Sequence, residues 1–283
     1  MEIKKYFVDA FTGPCAGGNR ACVIELEDWL PAVQMQDLAR ETGLPETAFF
    51  KKLNIAGHPN HFSLRWFTPD IEMDLCGHAT LATGYTISTI LKYVPLGTPI
   101  VFDSNSGRLE VDVAQDGRLT LDFPSRMPEA SKLPECILDS LSFKPIEVYK
   151  ARDYVLLYDS VECIKNIEIE LSLFNKINMD PGGVIITAPA AGSELKDCDF
   201  VSRFFTPQAT ILEDPVTGSA HCSLVPFWAS RLGKEELVGR QLSSSGGILY
   251  CRNSAERVFI SGYAKEVNTS VDPSSTSIIS KSV

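Results

Sequence analysis

Hydrophobic and polar residues alternate over short stretches along most of the chain, and each stretch ends near glycine, proline or asparagine. β-Branched and aromatic residues are frequent in these stretches, as is typical of half-buried strands. The pattern predicts strands over residues 4–11, 21–26, 46–53, 61–68, 100–114 and 117–124. A helical spacing covers residues 30–43, and Gly43 is placed to cap this helix. Its apolar positions include Val33, Leu38 and Ala39.

Two further stretches have apolar residues on nearly every side of a helical projection. They run from Gly77 to about Leu91 and from Gly218 to about Leu232. A helix without a polar face is normally buried, so we expect each of them to lie inside a layer of short strands. The chain is therefore predicted to be an α+β protein in which rolled β-sheets or barrels each surround a central α-helix.

Segments of the first half of the chain recur in the second half. The sequence Arg65-Trp-Phe-Thr-Pro69 is followed 138 residues later by Arg203-Phe-Phe-Thr-Pro207. In both copies a short acidic stretch comes next, and then a glycine begins one of the two apolar helices. Ser104 to Gly107 and Ser244 to Gly246 repeat at a similar offset. Because the offset is held over several elements, the repeat predicts two pseudo-symmetric domains.

The predicted domains are residues 1–125 and residues 126–267, because proline and polar residues cluster around residues 124–134. We expect the last strand of the second domain to pack on the first domain. Residues 268–283 are rich in serine and threonine, a composition that predicts a disordered tail.

The charge and the cysteines exclude several classes of protein. The formal net charge is −10 and no long basic segment is present, so a nucleic acid is not an expected partner. No stretch is long and apolar enough for a membrane span, and the N-terminal residues lack a signal-peptide pattern, so we expect a cytoplasmic protein. The 8 cysteines include no Cys-x-x-Cys pair, which argues against a zinc ribbon and indicates mostly buried thiols.

The two helices that begin with glycine carry the candidate chemistry. A helix begins with unpaired N–H groups and the positive end of its dipole, and both favour a bound carboxylate. Gly77 and Gly218 let a ligand approach the backbone closely. If a pseudo-twofold axis relates the two halves, both helix starts face one cleft. The expected partner is then a small substrate that contains a carboxylate.

Cys76 and His78 flank Gly77 at the first helix start. We expect His78 to point into the cleft, with the helix dipole favouring its neutral form, although a hydrogen-bonded structural histidine fits the pattern as well. Cys76 is a candidate nucleophile or acid/base because a helix start tends to lower the pKa of a thiol. A buried, inert thiol is the alternative.

Acidic and hydroxyl side chains mark the second helix start and one strand. Asp214 is a candidate for proton transfer, because a neighbouring bound carboxylate raises the pKa of a carboxyl group, or else it supports the loop. Ser219 is a candidate ligand or a helix N-cap. Glu46 precedes an apolar strand, where it is either a solvated end residue or a partly desolvated general base. His221 is expected in the core.

The chain contains, in this order, VDAFTGPCAGGNRACVIEL, LPETAFF, LRWFTPDIEMDLCGHATLATGY, SGRLEVDV, LDFP and EDPVTGSAHCSLVPFW. These segments resemble the signature segments of the phenazine-biosynthesis PhzF-like isomerase family, and LCGHAT together with EDPVTGSAH is a specific combination. The resemblance implies the diaminopimelate-epimerase fold, with an active site between two pseudo-symmetric domains. It also implies an isomerase that uses no cofactor and no metal.

The resemblance further implies roles for individual residues. Glu46 matches the family's acid/base glutamate, and the amides at Gly77 and Gly218 match positions that help to bind a substrate carboxylate. The catalytic candidates are Glu46, His78 and Asp214. The substrate-binding candidates are Gly77, Gly218, Ser219, Asn19 and Cys76. Arg20 follows Asn19 where the family usually has proline, a departure expected at the rim of the cleft.

The resemblance favours one mechanism and leaves others open. Epimerases of this fold use two cysteines, and here Cys76 matches the first while Pro215 or its neighbour stands in place of the second. We therefore expect Glu46 to move a proton within the substrate. An amino-acid epimerase that uses Cys76 and a non-enzymatic binding protein are the alternatives, and a homodimer stays open. A cysteine hydrolase is disfavoured, because Cys76 and His78 are not expected to face each other across a helix start.

Overall fold

The computed structural model of the protein describes residues 3–14, 16–179 and 182–267. The described chain divides into a first unit and a second unit. The first unit comprises residues 3–10, 20–119 and 264–267, and the second comprises residues 11–19 and 120–263 within the described ranges. The main change of unit therefore falls at residues 119–120, not at the predicted 125–126. The predicted tail over residues 268–283 lies outside the described residues.

The elements up to residue 113 form most of the first unit, and β1 and β2 each share residues with the second unit. The strands are β1 Lys5–Thr12, β2 Asn19–Glu25, β3 Glu46–Lys52, β4 His61–Phe67, β5 Glu72–Met73, β6 Ile100–Ser104 and β7 Gly107–Val113. The helices are α1 Ala32–Thr42 and α2 Gly77–Tyr85, and a π-helical turn over Thr86–Ile90 extends α2. The two predicted helices of this half are therefore present, and the predicted strand over residues 100–114 is a hairpin of β6 and β7.

The sheet of the first unit alternates parallel and antiparallel pairs. β2 pairs with β3 in parallel, β3 with β4 antiparallel, β4 with β6 in parallel and β6 with β7 antiparallel. The two-residue strand β5 pairs with the end of β4. Helix α2 packs on β3 and β7. The strands therefore surround a central helix, as the apolar pattern predicted.

Helix α1 has one apolar residue that lies outside the core. It ends as expected, with Gly43 in the left-handed conformation at φ 61° and its N–H bonded to the Arg40 carbonyl. The buried residues of α1 are Met35, Leu38 and Ala39. Val33 is 71% exposed and does not belong to the core. It lies in the first turn of the helix, on the side away from the buried residues.

Helix α2 is buried although it contains several hydroxyl side chains. The Thr80, Thr83 and Thr86 hydroxyls donate to the carbonyls of Cys76, Ala79 and Ala82, at 2.5, 2.7 and 2.9 Å. Ser88 bonds in the same way to the Gly84 carbonyl at 2.8 Å. These bonds within the helix satisfy hydroxyl groups that would otherwise be costly to bury. A Thr-rich helix can therefore occupy the core.

The remaining elements form most of the second unit. The strands are β8 Leu119–Pro124, β9 Glu129–Ala130, β10 Glu147–Lys150, β11 Tyr154–Leu157, β12 Val184–Pro189, β13 Phe200–Phe205, β14 Glu213–Asp214, β15 Glu236–Gln241, β16 Gly247–Ser254 and β17 Arg257–Glu266. The helices are α3 Glu135–Ser140, α4 Val161–Asn166, α5 Leu171–Phe174 and α6 His221–Leu232. The short helices α3 to α5 were not predicted from the sequence pattern.

The strand pairings of the first unit are repeated in the second. β11 pairs with β12 in parallel, β12 with β13 antiparallel, β13 with β15 in parallel and β15 with β16 antiparallel, while β14 pairs with the end of β13. The register is the same as well: Phe67 is opposite Thr47, and Phe205, its repeat partner, is opposite Val184. The predicted pseudo-symmetry is therefore confirmed by topology and by register.

Helix α6 is the buried helix of the second unit, and it begins three residues later than predicted. Gly218 lies in a turn, where its carbonyl accepts from the His221 N–H at 3.0 Å, and the regular helix begins at His221. Pro226 lies inside the helix and has no N–H to donate to the Cys222 carbonyl. The Arg126 N–H donates to that carbonyl instead, at 2.8 Å. Among the described residues, no helix has the length and apolar character needed to cross a membrane.

Candidate active site

Three side chains of the first unit form a chain of polar contacts at the start of α2. His78 Nε2 lies 3.1 Å from Glu46 Oε2, and His78 Nδ1 lies 3.7 Å from Cys76 Sγ. Glu46 is the first residue of β3, and Cys76 immediately precedes α2. The prediction that Cys76 and His78 would not face each other is therefore wrong. Cys76 is in an extended conformation at φ −136°, which turns its thiol towards the imidazole.

Burial and charge set the protonation states in this group. Burial lowers the pKa of His78, but the interactions with Cys76 and Glu46 outweigh it and raise the pKa well above its ordinary value. Burial raises the pKa of the Cys76 thiol to about 11, so the thiol is neutral near pH 7. The carboxyl group of Glu46 lies on the other side of the imidazole, 3.1 Å from His78 Nε2. The raised pKa favours the protonated imidazole, in contrast to the expected neutral form of His78.

The same three side chains supply a thiol, an imidazole and a carboxylate, a donor set that suits transition metals. Their ligand atoms all lie within 4.8 Å of one another. However, the imidazole lies between the other two, with one ring nitrogen towards Cys76 and the other towards Glu46. A single ion can use only one of these nitrogens. The arrangement therefore fits a proton-carrying chain better than a chelate.

The first helix start is also arranged as the sequence predicted. Gly77 and His78 are the first two residues of α2, and no side chain caps the helix from Cys76. The first N–H groups of a helix have no acceptor within the helix itself. Gly77 is buried with its neighbours, so an anion at this point would displace little water. The binding role of Gly77 stays a prediction.

The second unit holds Asp214 in a network of side-chain amides and hydroxyls. Asn19 Nδ2 donates to Asp214 Oδ1 at 2.6 Å, and the Thr217 hydroxyl donates to Oδ2 at 2.5 Å. Gln241 Nε2 donates to the Asp214 main-chain carbonyl at 2.6 Å. Two donors on its two oxygens fix the orientation of the Asp214 carboxyl group. Asn19 is fully buried and supports Asp214 here, while its predicted contact with substrate stays a prediction.

Ser219 is oriented by an arginine that the sequence analysis did not select. Arg152 Nη2 donates to Ser219 Oγ at 3.0 Å and to Asp153 Oδ2 at 2.9 Å. The prediction missed Arg152 and Gln241 as well as Asp153. A signal for the ion pair was available, because an Arg-Asp pair directly precedes the buried strand β11.

Strand register shows how the two groups of residues correspond. Because Val184 corresponds to Thr47, Gly183 corresponds to Glu46. A Cβ atom at Gly183 would lie 2.7 Å from the Phe205 carbonyl oxygen, so no side chain fits at this position. The second unit therefore cannot carry a second glutamate in place of Glu46.

The same comparison places other residues. Met73 is opposite Trp66 and Asp214 is opposite Phe204, so Met73 corresponds to Asp214. By the sequence repeat, Thr217 corresponds to Cys76. Each group is built within its own unit. The expectation that both groups face one cleft stays a prediction.

His221 and Arg20 are the remaining residues that the sequence analysis singled out. His221 is fully buried, as predicted, and its Nδ1 donates to the Thr217 carbonyl at 2.9 Å. Burial lowers the pKa of His221 to about 4, so the ring is neutral. Arg20 binds Asp9 through two bonds at 2.8 and 3.1 Å and remains partly exposed.

Comparison with known proteins identifies the family. A family model described as phenazine biosynthesis-like protein, PhzC-PhzF, matches residues 8–269. An uncharacterised isomerase of Pseudomonas aeruginosa is 39% identical over 264 residues, which cover 93% of this chain and 96% of the relative. The chain belongs to the PhzC-PhzF family. A solved structure of a PhzF family protein from Enterococcus faecalis has a TM-score of 0.82 and 39% identity, and the match covers 94% of this chain and 97% of that one.

Membership of the PhzC-PhzF family bears on the predicted activity and on the predicted fold. Curated relatives at about 40% identity are named isomerases, and the protein is accordingly an isomerase. The non-enzymatic alternative is therefore set aside. A hydroxyproline epimerase from Agrobacterium vitis matches with a TM-score of 0.60 at 10% identity, over 95% of this chain and 92% of that one. This likeness concerns the fold alone, and it confirms the predicted diaminopimelate-epimerase-like architecture.

Proposed function

We propose that the protein is a cofactor-independent isomerase in which Glu46 removes a proton from one carbon of a small carboxylate substrate and returns it to another. The observation that carries the proposal is the buried contact of 3.1 Å between His78 Nε2 and Glu46 Oε2. A general base must be ionised and fixed in direction before the reaction. The His78 imidazole, in contact with Glu46 Oε2, fixes the direction of this carboxyl group.

The proposed reaction needs no proton-transfer group other than Glu46. Glu46 takes a proton from a carbon atom beside an electron-withdrawing group, and the electron pair of the C–H bond shifts into the substrate. Glu46 then delivers a proton to a different carbon, and because the proton it holds can first exchange with solvent, deuterium from D₂O can enter the product. His78 stays in contact with the Glu46 carboxyl group and offsets the charge that the base carries before and after the transfers.

The substrate carboxylate needs donors, since the net charge of the chain is −10. We assign this role to the amides at Gly77 and Gly218 and to the Ser219 hydroxyl, while Asp214 orients a polar group of the substrate and Asn19 supports Asp214. The hydrogen bonds from Asn19 and Thr217 to Asp214 support the last assignment. A phenazine precursor is not assigned as the substrate, because the family name alone does not identify it.

An amino-acid epimerase remains the second candidate, because the Cys76 thiol lies 3.7 Å from the His78 imidazole. Two observations disfavour it. Burial raises the pKa of the thiol to about 11, which removes the thiolate that such a base requires. The corresponding residue of the second unit is Thr217, whose hydroxyl donates to Asp214.

Solvent exchange tests the two candidates. Small cyclic and amino carboxylates would be incubated with the protein in D₂O, and the labelled carbon would be located by NMR. The proposal predicts turnover that falls by roughly 100-fold or more in Glu46→Gln, the range typical of a lost general base. Cys76→Ser should leave most of the turnover intact. Exchange confined to an amino acid α-carbon and abolished by Cys76→Ser would favour the epimerase instead.

A further inference from the structure

A buried ion pair lies beside Ser219 in the second unit. The side chains of Arg152 and Asp153 are 17% and 2% exposed, and Arg152 Nη2 bonds to both Asp153 and Ser219. The desolvation of two charges is costly, so a buried pair is weak evidence of added stability. Stability therefore does not explain this ion pair. The hydrogen bond from Arg152 to the Ser219 hydroxyl suggests a different role.

Asp153 is anchored from two sides. Its Oδ1 accepts the Gly183 N–H at 3.0 Å, and Arg152 Nε lies 3.2 Å from each of its oxygens. The charge of the guanidinium is therefore largely balanced by its neighbour. The contact with Ser219 is therefore mainly directional, because one N–H of the rigid, planar guanidinium points at the Ser219 oxygen.

The direction of that bond determines what Ser219 can do. A hydroxyl group has one hydrogen to donate and two lone pairs that accept. Because Arg152 donates to one lone pair, the hydrogen of Ser219 must point elsewhere. Within the part of the chain that the structure describes, the hydrogen of the Ser219 hydroxyl has no acceptor. Ser219 is thus set as a donor towards an external acceptor.

Comparison with the first unit strengthens the argument. By register, Arg152 corresponds to Arg20, since Tyr154 and Cys22 occupy equivalent positions in the parallel pairs. Arg20 binds Asp9, and its side chain is 43% exposed, so burial of the arginine is specific to the second unit. Ser219 itself corresponds to His78 by the sequence repeat. Each unit therefore orients the residue at the helix start with an ionic partner, Glu46 in one case and Arg152 in the other.

We infer that Arg152 is a positioning residue that fixes the Ser219 hydroxyl as a donor and so selects a carboxylate ligand over the corresponding neutral amide. This inference rests on the proposed role of Ser219 in binding the substrate carboxylate. It goes beyond that role, because it assigns the selectivity to a side chain that does not itself contact the ligand. The ion pair with Asp153 keeps the guanidinium in place.

Binding of benzoate and of its uncharged analogue benzamide tests the inference with the full-length chain, by isothermal titration calorimetry. Ser219→Ala should weaken benzoate binding by about tenfold, the effect of one hydrogen bond to a charged group. The double variant Arg152→Met with Asp153→Asn should weaken it by about the same factor. Benzamide binding should weaken less in either variant, by about threefold, because its carbonyl oxygen is an uncharged and weaker acceptor. Adding Ser219→Ala to the double variant should cause no further loss, because both changes remove one function.

The double variant is chosen so that the fold survives. The asparagine that Asp153→Asn introduces would still accept the Gly183 N–H, and no unpaired charge is left in the interior. Circular dichroism and the melting temperature check the fold. Arg152→Lys, which keeps the charge but loses the planar fork, should restore binding only in part.

The outcomes separate this inference from the proposed function. If Ser219→Ala weakens benzoate binding but the folded Arg152 variants do not, Arg152 has no positioning role while the carboxylate site stands. If Ser219→Ala leaves benzoate binding unchanged, or if the unmodified protein binds no benzoate at millimolar concentration, the site at Ser219 is wrong and the inference falls with it. The proton transfer by Glu46 is measured separately by solvent exchange.

Discussion

Gln241 and Thr217 are joined through both ends of one side-chain amide. Gln241 Oε1 accepts the Thr217 N–H at 2.8 Å, and Gln241 Nε2 lies 3.3 Å from the Thr217 hydroxyl. The same nitrogen donates to the Asp214 carbonyl at 2.6 Å. Gln241 therefore closes the turn that carries both Asp214 and the residues before α6, although it lies at the far end of β15 in sequence.

Gln241→Ala is predicted to destabilise the protein and to lower its turnover. The change leaves a buried N–H and a buried carbonyl without their partner, at a cost of about 1–3 kcal/mol. Urea unfolding measures the loss. Gln115→Ala is the matched control, because Gln115 makes one exposed bond to the Leu96 carbonyl, and it should change the free energy of unfolding by less than about 0.5 kcal/mol. Equal effects of both substitutions would show that the Gln241 contacts stabilise the protein no more than one exposed hydrogen bond does.

His221 should make the protein less stable in mild acid. Burial lowers the pKa of His221 from its ordinary 6.5 to about 4, so the unfolded chain binds a proton at pH values where the folded chain does not. The contribution is present in full above pH 6.5 and is lost as the pH falls towards 4, and it amounts to at most about 3 kcal/mol. His221→Asn removes the titration and should flatten the pH dependence of unfolding in this window. An unchanged slope in the variant would contradict the prediction.

The contribution of His78 to the free energy of unfolding should change with pH in the direction opposite to that of His221. Its pKa is raised well above 6.5, so the folded chain keeps a proton that the unfolded chain has already released. The stabilising contribution is complete below pH 6.5 and declines as the pH rises through the folded-state pKa. The difference in unfolding free energy between the unmodified protein and His78→Gln, followed from about pH 6 to about pH 10, should therefore shrink with rising pH. A difference that grows with pH would show that the imidazole is neutral in the folded protein.

Sequence pattern predicted the repeat, the two buried helices and the strands up to residue 124, but not the short helices α3 to α5 or the side-chain pairings. The repeated Arg-x-Phe-Thr-Pro segments and the two apolar helices predicted the paired architecture, because periodicity and repetition are properties of the chain itself. Arg152 contacts Ser219 across 67 positions in sequence, and no local pattern indicates such a pairing. It depends on strand register, which the sequence of one strand does not determine.

The exposure of Val33 and the raised pKa of His78 both depend on neighbours that a local pattern does not show. Val33 fits the helical spacing, but the start of α1 faces away from the core, and a hydrophobic pattern does not show where the covering layer ends. The expected neutral form of His78 was based on the helix dipole alone. Glu46 lies 32 positions earlier in sequence, and only the folded chain brings its carboxylate to the imidazole.

The repeated arginine–glutamate pairs provide a test that uses one unit as the control for the other. Arg65 binds Glu72 through two bonds of 2.7 Å, and Arg203 binds Glu213 through bonds of 2.7 and 2.9 Å. Among the described residues, only the arginine of the second pair also donates to the main chain, at 3.1 Å to the Ile164 carbonyl. Glu213 is followed directly by Asp214, so this pair also fixes the strand that carries a catalytic candidate.

Lysine cannot reproduce the planar fork of arginine, so both substitutions should destabilise the protein, and Arg203→Lys more than Arg65→Lys. We expect about 2 kcal/mol for Arg203→Lys and about 1 kcal/mol for Arg65→Lys, since the first also loses a main-chain bond. Urea unfolding at one pH measures both. Turnover per folded molecule should fall in Arg203→Lys and stay near normal in Arg65→Lys, whose strand carries Met73 in place of Asp214. Equal losses of turnover in the two variants would mean that the position of Asp214 does not depend on the Arg203–Glu213 pair.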